Sequence, residues 1–334
     1  MAAVGFSLVA LLTGWYIALA SRFAWFDLPN HRSSHSKPTP GAGGIPMVVV
    51  FLLLMAFQFI SGHLSLAVFV VMALGGVPLV IVSAWDDFKP VSAGVRFMLQ
   101  ALACSVAVVT LLQGHWVVLQ GVEIPLNGWV WPIAVFAALW MVNLFNFMDG
   151  IDGLAAIEGI SLFAGLAVIH AVLSQDAGAL SVLTTLVACV LGFICWNWAP
   201  ARVFMGDVGS VFLGYVFVAV SLWGIGEGWW TVWTPIILSA AFWVDATVTL
   251  MCRVRRGQKV YEAHRSHAYQ RLSRRWGSHR RVSALYGVVN GVWLFPIAFM
   301  VTAWPAYGLG LFALAVMPLI LAVWKVGAGL PDAE

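Results

Sequence analysis

Long apolar segments separated by short polar joints make up almost the whole 334-residue chain. A helix that crosses a bilayer needs about 20 largely apolar residues, and Gly, Pro and polar residues punctuate the apolar runs here. The pattern predicts an all-α polytopic membrane protein with about 10–11 transmembrane helices. The eleven predicted spans are 2–20, 45–62, 64–83, 96–113, 129–147, 158–174, 178–195, 209–225, 230–251, 283–303 and 306–325.

Two stretches qualify this pattern. The first apolar run has no basic residues before it and no small-residue cleavage site, so we interpret it as a retained helix and not as a removed signal. The segment GHWVVLQGVEIPLNG (114–128) predicts either a short hairpin or an interfacial segment.

Composition agrees with the pattern and excludes a soluble globular protein. Hydrophobic residues make up 62% of the chain and charged residues only 9%, whereas a soluble domain carries roughly 25% charged residues. The joints are too short to hold a separate domain, so residues 1–334 are interpreted as a single transmembrane catalytic domain. Its partners are expected to be the lipid bilayer and small molecules, with no nucleic acid.

Basic residues collect on one side of the predicted bundle. If the N-terminus lies outside and the C-terminus in the cytoplasm, all 17 Lys and Arg residues face the cytoplasm, as the positive-inside rule requires. They lie in the loops 21–44, 84–96, 196–208 and 252–282 and at Lys325. The fifth cytoplasmic loop, 147–157, carries none of them.

Acidic residues collect on the same side. They come from three separate motifs, WDDFKP (85–90), NLFNFMDGIDGLA (143–155) and FMGDVGSVFLG (204–214). Carboxylates that converge in this way repel one another unless a cation lies among them, and magnesium favours one or two carboxylates together with substrate phosphates. A magnesium site opposite a basic loop predicts phosphate chemistry. The acids concerned are Asp27, Asp86, Asp87, Asp149, Asp152 and Asp207.

The motif NLFNFMDGIDGLA predicts the end of a helix. Asn143, Asn146, Asp149 and Asp152 are three residues apart, so on a continuous helix they would spiral round the surface. We therefore expect the fifth helix to end near Phe147, and the glycines to turn Asp149 and Asp152 back towards its last turn. The alternative is that these residues only cap helices and form Asx turns, and Asp207 could likewise be only an N-cap.

Two further loops are candidates for binding anions. In HSKPTPGAGGIP (35–46), Lys37 and the backbone amides of GAGG could face an anion, or the loop could be only a rigid connector. In the basic stretch 255–281, orientation and anionic lipids explain most of the charge, but not His264, Arg265 and His267 in HRSH. His279 is a lone histidine and receives no role. Asp245 is the only acid expected inside a span.

In this order, the motifs HSKPTPGAGG, WDDFKP, NLFNFMDGIDGLA, FMGDVGS and HRSHAYQRL resemble those of the polyprenyl-phosphate N-acetylhexosamine-1-phosphate transferases. That superfamily includes the phospho-MurNAc-pentapeptide translocase and the GlcNAc-1-phosphate transferases that start O-antigen and enterobacterial common antigen. The resemblance covers nearly the whole chain. It implies transfer of a sugar-1-phosphate from a UDP-sugar to undecaprenyl phosphate, with release of UMP, at the cytoplasmic face of a bacterial inner membrane.

The resemblance also implies roles for individual residues. Asp207 and Asn146 would hold magnesium, for which manganese is an alternative. Asp86 and Asp87 would activate or position the lipid phosphate, and Arg96 would contact pyrophosphate. Asp149, Lys37 and Phe204 would form the uridine pocket. The complete candidate set is Asp86, Asp87, Asp149, Asp152, His264 and His267 as catalytic residues, Lys37, Arg96, Asn143, Phe204 and Arg265 as substrate-binding residues, and Asn146 and Asp207 as metal ligands.

Alternatives remain at this point. HRSH is followed by Ala268 and not by a third histidine, and the loop expected for recognition of a peptide is missing; both favour an O-antigen or common-antigen initiator over the MurNAc-pentapeptide enzyme. The donor would then carry a HexNAc or an N-acetylated 6-deoxyhexose. An ion-coupled transporter would instead place its ionisable groups near the bilayer midplane. A non-catalytic scaffold and a homodimer also remain open.

Overall fold

The chain forms a helical bundle in a computed structural model, which describes residues 1–23, 25–27, 37–86, 89–119, 122–174, 176–259 and 264–330. Within these ranges, fifteen α-helices and two small antiparallel sheets follow one another. The helices are α1 (Ala2–Phe23), α2 (Gly44–Ile60), α3 (Leu66–Val70), α4 (Gly76–Asp86), α5 (Ala93–Leu112), α6 (Val130–Met148), α7 (Leu154–Leu173), α8 (Ala177–Asn197), α9 (Gly206–Gly226), α10 (Trp233–Leu238), α11 (Ala240–Arg255), α12 (Ala268–Trp276), α13 (His279–Val288), α14 (Phe295–Ala303) and α15 (Gly308–Val326).

The predicted membrane class is confirmed. In the described part of the chain, nine helical segments are long and apolar enough to cross a bilayer. The two other predicted spans are also helical: α2 is a shorter apolar helix, and the ninth span is broken into α10 and α11. At the break, the Ser239 hydroxyl donates to the Pro235 carbonyl at 2.7 Å, which also accepts from the Ser239 amide at 3.1 Å.

The short strands lie outside the bundle of helices. Strands β1 (Phe26–Asp27) and β2 (Thr39–Pro40) pair before α2, with Phe26 opposite Pro40. Strands β3 (Trp116–Leu119) and β4 (Val122–Pro125) pair between α5 and α6. The latter pair is the hairpin that was one of the two alternatives for residues 114–128.

Helix α9 is the centre of the bundle. Of its apolar stretch, 94% is buried, compared with 17% in α1 and 22% in α15. Small residues let its neighbours approach closely: a Cβ at Gly214 would lie 2.9 Å from the Cβ of Phe145 on α6. Because Asp207 lies in the first turn of α9, this central helix fixes the position of that carboxylate.

Two π-helical turns interrupt spans where polar side chains need partners. One (Val71–Gly75) joins α3 to α4, and there the Tyr215 hydroxyl of α9 donates to the Val71 carbonyl at 2.8 Å. The other (Val289–Leu294) joins α13 to α14 and carries Asn290, whose amide donates to Glu158 at 2.6 Å. A π-helical turn leaves backbone and side-chain groups outside the regular helical ladder, which makes them available to neighbouring helices.

The expectation that Asp245 is the only acid inside a span is wrong. Glu158 on α7 is also fully buried. The cause is that α7 begins at Leu154, after Gly153 in the left-handed conformation with φ of 74°, and not at residue 158 as predicted. Glu158 therefore lies one turn inside the helix, not at its end.

Candidate active site

Two of the three acidic motifs, NLFNFMDGIDGLA and FMGDVGSVFLG, meet at one end of the bundle around a cavity of about 270 Å³. Five residues of the candidate set line it, from the end of α6, the loop before α7, the segment before α9 and the first turn of α9, together with Asp27. The lining residues are Asp27, Asn146, Asp149, Gly150, Ile151, Asp152, Asn197, Phe204, Met205, Gly206, Asp207, Gln270 and His279. The convergence of separate motifs therefore occurs in space as well as in topology.

The end of α6 places the first two of these side chains. The helix stops at Met148, and its C-cap is Asp149, whose amide bonds to the Asn146 carbonyl at 3.2 Å. Gly153 then turns the chain into α7 with a positive φ that disfavours a side chain. Asn146 and Asp149 consequently reach the same cavity although they are three residues apart, as the predicted helix end requires.

Asp207 is held by the last turn of α6. Its Oδ1 accepts a hydrogen bond from the Asn146 amide at 2.8 Å, and the same amide lies 3.1 Å from the Ser210 hydroxyl. The side chain is 39% exposed, and its place in the first turn of α9 is favourable for a negative charge. The N-cap of α9 is Met205, so the alternative of Asp207 as an N-cap is wrong.

Arg96, at the start of α5, joins two of the acidic motifs. Its Nη1 lies 2.7 Å from Asp86 Oδ2 and 3.4 Å from Asp207 Oδ2. The other oxygen of Asp86 accepts from the Val91 amide at 2.6 Å. Both oxygens of Asp86 therefore accept hydrogen bonds, and Asp86 orients the Arg96 guanidinium towards Asp207. Asp87, predicted to act beside it, lies outside the described residues.

The cavity is electrostatically unfavourable for anionic side chains alone. Burial, followed by repulsion from Asp207 and Asp152, raises the pKa of Asp149 to about 7. A cation in the cavity would relieve this repulsion, because an opposite charge within about 4–6 Å favours the ionised carboxylate.

The residues present fit a magnesium ion that shares its coordination with substrate. Within the described ranges, no three His, Cys, Asp or Glu side chains form a metal-binding group on their own. Magnesium does not need one, because it usually takes one or two carboxylates and completes its shell with water and phosphate oxygens. The exposed Asp207 carboxylate and the Asn146 amide are the oxygen donors that suit it.

His279 is a cavity residue that the sequence analysis missed. It begins α13, and its Nδ1 lies 3.2 Å from Asp152 Oδ1. Asp152 is also held by the Ala201 amide, which donates to Oδ2 at 3.0 Å, and by the Ser283 hydroxyl, which donates to its carbonyl at 2.7 Å. The sequence signal that could have found it is Ser278, a good N-cap residue, which predicts a helix that begins at His279, four residues before the predicted tenth span.

Two glycine amides of the loop 35–46 favour the alternative of a rigid connector. The Gly43 and Gly44 amides donate to the carbonyls of Phe204 and Met205 at 2.8 and 3.0 Å. These two amides therefore fix the segment that carries Phe204 and do not face an anion. Lys37 is exposed and is not part of the cavity lining; its substrate-binding role stays a prediction.

The remaining candidates lie beside the cavity. Asn143 donates to the Gln100 side chain at 3.0 Å and to the Leu139 carbonyl at 2.8 Å, so it faces α5. The rings of His264 and His267 are stacked at 4.8 Å, and His267 is 3% exposed. Neither histidine lines the cavity, and Arg265 is exposed outside it. Gln270, on the first turn of α12, is the residue of this region that lines the cavity.

Comparison with known proteins agrees with the resemblance found in the motifs. Residues 68–225 match the family description "Glycosyl transferase family 4", a range that contains Asp86, Arg96, the NLFNFMDGIDGLA motif and Asp207. The chain contains a glycosyl transferase family 4 domain.

Relatives that match most of the chain carry related names. The chain is 28% identical over 329 residues to the probable undecaprenyl-phosphate N-acetylglucosaminyl 1-phosphate transferase of Bacillus subtilis (strain 168), covering 96% of this chain and 89% of the relative. It is 29% identical to the decaprenyl-phosphate N-acetylglucosaminephosphotransferase of Mycolicibacterium smegmatis, covering 86% and 78%.

A third relative matches a smaller share of both chains. The phospho-N-acetylmuramoyl-pentapeptide-transferase of Synechococcus sp. (strain WH7803) is 31% identical over 242 residues, covering 65% of this chain and 61% of the relative. The family predicted from the motifs is thus confirmed.

Proposed function

We propose that this protein transfers an N-acetylhexosamine-1-phosphate from a UDP-sugar to undecaprenyl phosphate and releases UMP. The single observation that carries the proposal is that an intervening pocket connects the acidic cavity to an apolar groove on the side of the bundle, so that a phosphate-handling site and a place for a lipid chain meet. The relatives named as polyprenyl-phosphate GlcNAc-1-phosphate transferases support the same reaction.

The groove has the apolar lining that an isoprenoid chain requires, and room for part of such a chain. Its volume is about 650 Å³, and apolar side chains of α6 and α11 form most of its walls, including Phe136, Trp140 and Met251. Phe97, Asn143 and Phe147 belong both to this groove and to a second pocket of about 400 Å³. That pocket also contains Arg96, Asn146 and Asp207. A lipid in the groove would thus present its phosphate to Arg96.

The reaction is a displacement at phosphorus. An oxygen of the lipid phosphate bonds to the β-phosphorus of the UDP-sugar, the bond from that phosphorus to the bridging oxygen breaks, and UMP leaves with the electron pair. A phosphate monoester is largely ionised near neutral pH, so no side chain has to deprotonate it. Asp86 therefore serves to orient Arg96, whose charge offsets that of the two phosphates.

Magnesium, held by Asp207 and Asn146, would stabilise the negative charge that develops on the pyrophosphate. Phe204, in the cavity wall, offers a ring face for the uracil base, and Asp149 and Gln270 offer hydrogen-bonding groups. Asp152 and His279, which are bonded to each other, close the opposite wall.

The donor that fits best is a simple UDP-HexNAc or its 6-deoxy form, for the first membrane step of O-antigen or another envelope polysaccharide. The relatives with the larger coverage are GlcNAc-1-phosphate transferases, and the motif HRSHA lacks the third histidine. The reaction would take place at the cytoplasmic side of the inner membrane, where the positive-inside rule puts the acidic cavity.

A transport function has less support. A transporter needs an ionisable group near the midplane that can take up and release its ion. Asp245 accepts four hydrogen bonds from fixed donors, which leaves no free oxygen for a transported ion. Glu158, the other fully buried acid, lies one turn from the start of α7 and not near its middle.

The test uses purified full-length protein in lipid nanodiscs with undecaprenyl phosphate and magnesium. UDP-GlcNAc, UDP-GalNAc, a UDP-N-acetyl-6-deoxyhexose and UDP-MurNAc-pentapeptide are supplied in turn, and UMP and the lipid product are measured. We expect UMP with at least one of the first three and none after chelation of the metal. Release of UMP from the fourth alone would overturn the choice of donor, and no release from any would overturn the reaction.

A further inference from the structure

Asp245 is a fully buried carboxylate within a predicted membrane span. It lies on α11, and both of its oxygens accept hydrogen bonds, from the next turn of α11 and from other helices. Oδ1 accepts from the Ala268 amide at 2.8 Å and the Thr249 hydroxyl at 3.2 Å. Oδ2 accepts from the Tyr269 amide at 3.0 Å and the Tyr286 hydroxyl at 2.6 Å. A buried carboxylate is costly unless its oxygens are bonded in this way.

Two of these donors begin α12. The first amides of a helix have no partner within the helix, and a negative charge at that end is favourable. Asp245 supplies both the acceptors and the charge from a different helix. The start of α12 is therefore attached to α11, with His267 packed beside the attachment, its Nδ1 3.5 Å from Asp245 Oδ1.

The first turn of α12 also reaches the candidate active site. The Tyr269 hydroxyl donates to the Phe147 carbonyl at 3.1 Å, at the end of α6. Gly150 has no side chain to obstruct it, since a Cβ there would overlap the Tyr269 hydroxyl. The next residue, Gln270, lines the cavity that contains Asp149 and Asp207. A shift of the start of α12 would thus move one wall of that cavity.

We propose that Asp245 is a positioning residue: it holds the start of α12 against the end of α6, so that Gln270 forms part of the donor-binding cavity and the His264–His267 loop lies beside it. This role rests on the proposed transferase function. Asp245 lies outside the cavity lining and acts only through α12.

A purely structural role makes a different prediction, and the chain offers a matched control. Asn290 is a buried polar residue one helical turn beyond Tyr286, where it donates to the buried Glu158 and not to Asp245 or α12. Asn290→Ala breaks that contact, as Asp245→Asn breaks at least one of the bonds to α12, because the amide nitrogen of asparagine cannot accept them. Both variants are expected to lower the thermal unfolding temperature. Only Asp245→Asn should act on α12.

The first experiment measures hydrogen–deuterium exchange of full-length protein in detergent, without substrate. We expect Asp245→Asn to accelerate exchange at the Ala268 and Tyr269 amides, while Asn290→Ala leaves those amides as slow as in the unmodified protein. Equal exchange at these amides in the Asp245→Asn variant and the unmodified protein would overturn the attachment.

The second experiment measures kinetics for the UDP-sugar and for undecaprenyl phosphate separately. A roughly tenfold fall in kcat/KM for the UDP-sugar is expected for Asp245→Asn, because bonds to a charged group are lost, with an unchanged KM for the lipid. Asn290→Ala should leave both unchanged. Kinetics of Asp245→Asn that match those of Asn290→Ala would overturn the positioning role.

Milder variants cover the case in which Asp245→Asn does not fold. Tyr286→Phe removes the shortest bond to Asp245 and Thr249→Val the longest, so the exchange of the α12 amides and the loss of kcat/KM should be larger for Tyr286→Phe. The reverse order, or no effect of either, would contradict the inference. If the unmodified protein transfers no sugar at all, the proposed function fails, and the exchange experiment still decides whether Asp245 holds α12.

Discussion

Asp207 and Asp245 are two carboxylates on neighbouring parts of the same bundle, and their surroundings are opposite. Asp245 is fully buried, and both of its oxygens accept from backbone amides and hydroxyls. Asp207 is 39% exposed, and its partners are the Asn146 amide and the more distant Arg96. One carboxylate is saturated by fixed donors, whereas the other keeps capacity for a ligand.

This difference separates residues that hold the site from residues that bind substrate. Both types appear in the sequence as a single aspartate near a predicted helix end, and neither composition nor spacing distinguishes them. The number and type of donors around each carboxylate does. The variants below test the distinction, beginning with the largest expected effect.

Asp207→Ala should lower magnesium-dependent UMP release on the order of a hundredfold or more, because it removes the carboxylate proposed to hold the metal. The thermal unfolding temperature should change little, since the side chain is partly exposed. UMP release and unfolding in detergent are measured on the same preparation. Undiminished turnover would show that Asp207 does not bind the metal.

Arg96→Ala should lower kcat/KM about tenfold to a hundredfold, because the guanidinium is the cation between Asp86 and Asp207 and is proposed to meet the lipid phosphate. Arg96→Lys keeps the charge but not the planar geometry, and should recover part of the loss. The comparison is made at varied concentrations of undecaprenyl phosphate. If Lys and Ala have identical effects, the charge of Arg96 is not what matters.

Asp149→Asn should raise the unfolding temperature of the metal-free protein at pH 8 by a few °C. The pKa of Asp149 in the folded protein is about 7, above its ordinary value, so ionisation opposes folding as the pH rises from about 4 to about 7. The gain should therefore vanish near pH 4, and magnesium should reduce it at pH 8. Asp245→Asn, by contrast, should lower the unfolding temperature.

An equal gain at pH 4 and pH 8 would contradict this account of Asp149. A loss of stability at both values would place Asp149 with Asp245, among the residues whose carboxylates are satisfied by fixed donors.

His264→Gln should have the smallest effect, a shift of about 1–3 °C that is seen only in acid. Burial, followed by repulsion from His267 and Arg253, lowers the pKa of His264 to about 4. The unfolded chain therefore takes up a proton between about pH 6.5 and pH 4 that the folded protein refuses, and stability falls over this range. The variant should lose less stability there than the unmodified protein and match it at pH 8.

The fold could be predicted because apolar runs of bilayer length dominate the sequence. These runs locate the helices within a few residues, and the distribution of Lys and Arg supports the count. The break at Ser239 could not be predicted, because the apolar run 230–251 continues through it without a glycine or a charge at that point. The π-helical turns could not be predicted either, because they depend on tertiary partners such as Tyr215 and Glu158.

The candidate site was predictable where several polar residues share a motif. Asn146, Asp149 and Asp152 lie in one apolar segment, so their polar side chains could be explained together, by a helix that ends there at a binding site. His279 and Asn197 each stand alone in the sequence, and Gln270 lies in the motif HRSHAYQRL without a role predicted for it; only the folded chain brings the three to the cavity. The Gly43 and Gly44 amides show the converse case, since amides in a loop that looks suited to an anion can instead hold two loops together.

The burial of α9 along its length has a consequence for residues far from Asp207. Gly224 lies 17 residues further along this helix, about 25 Å away at the opposite membrane boundary, and a Cβ there would overlap the Trp230 ring. Because 94% of its apolar stretch is buried among neighbours, such a clash must be relieved by a movement of Trp230 or by a shift of α9 itself. To the extent that α9 shifts, a single methyl group at the distant end of the helix would displace the proposed metal ligand, and the catalytic rate would report on packing that no substrate touches.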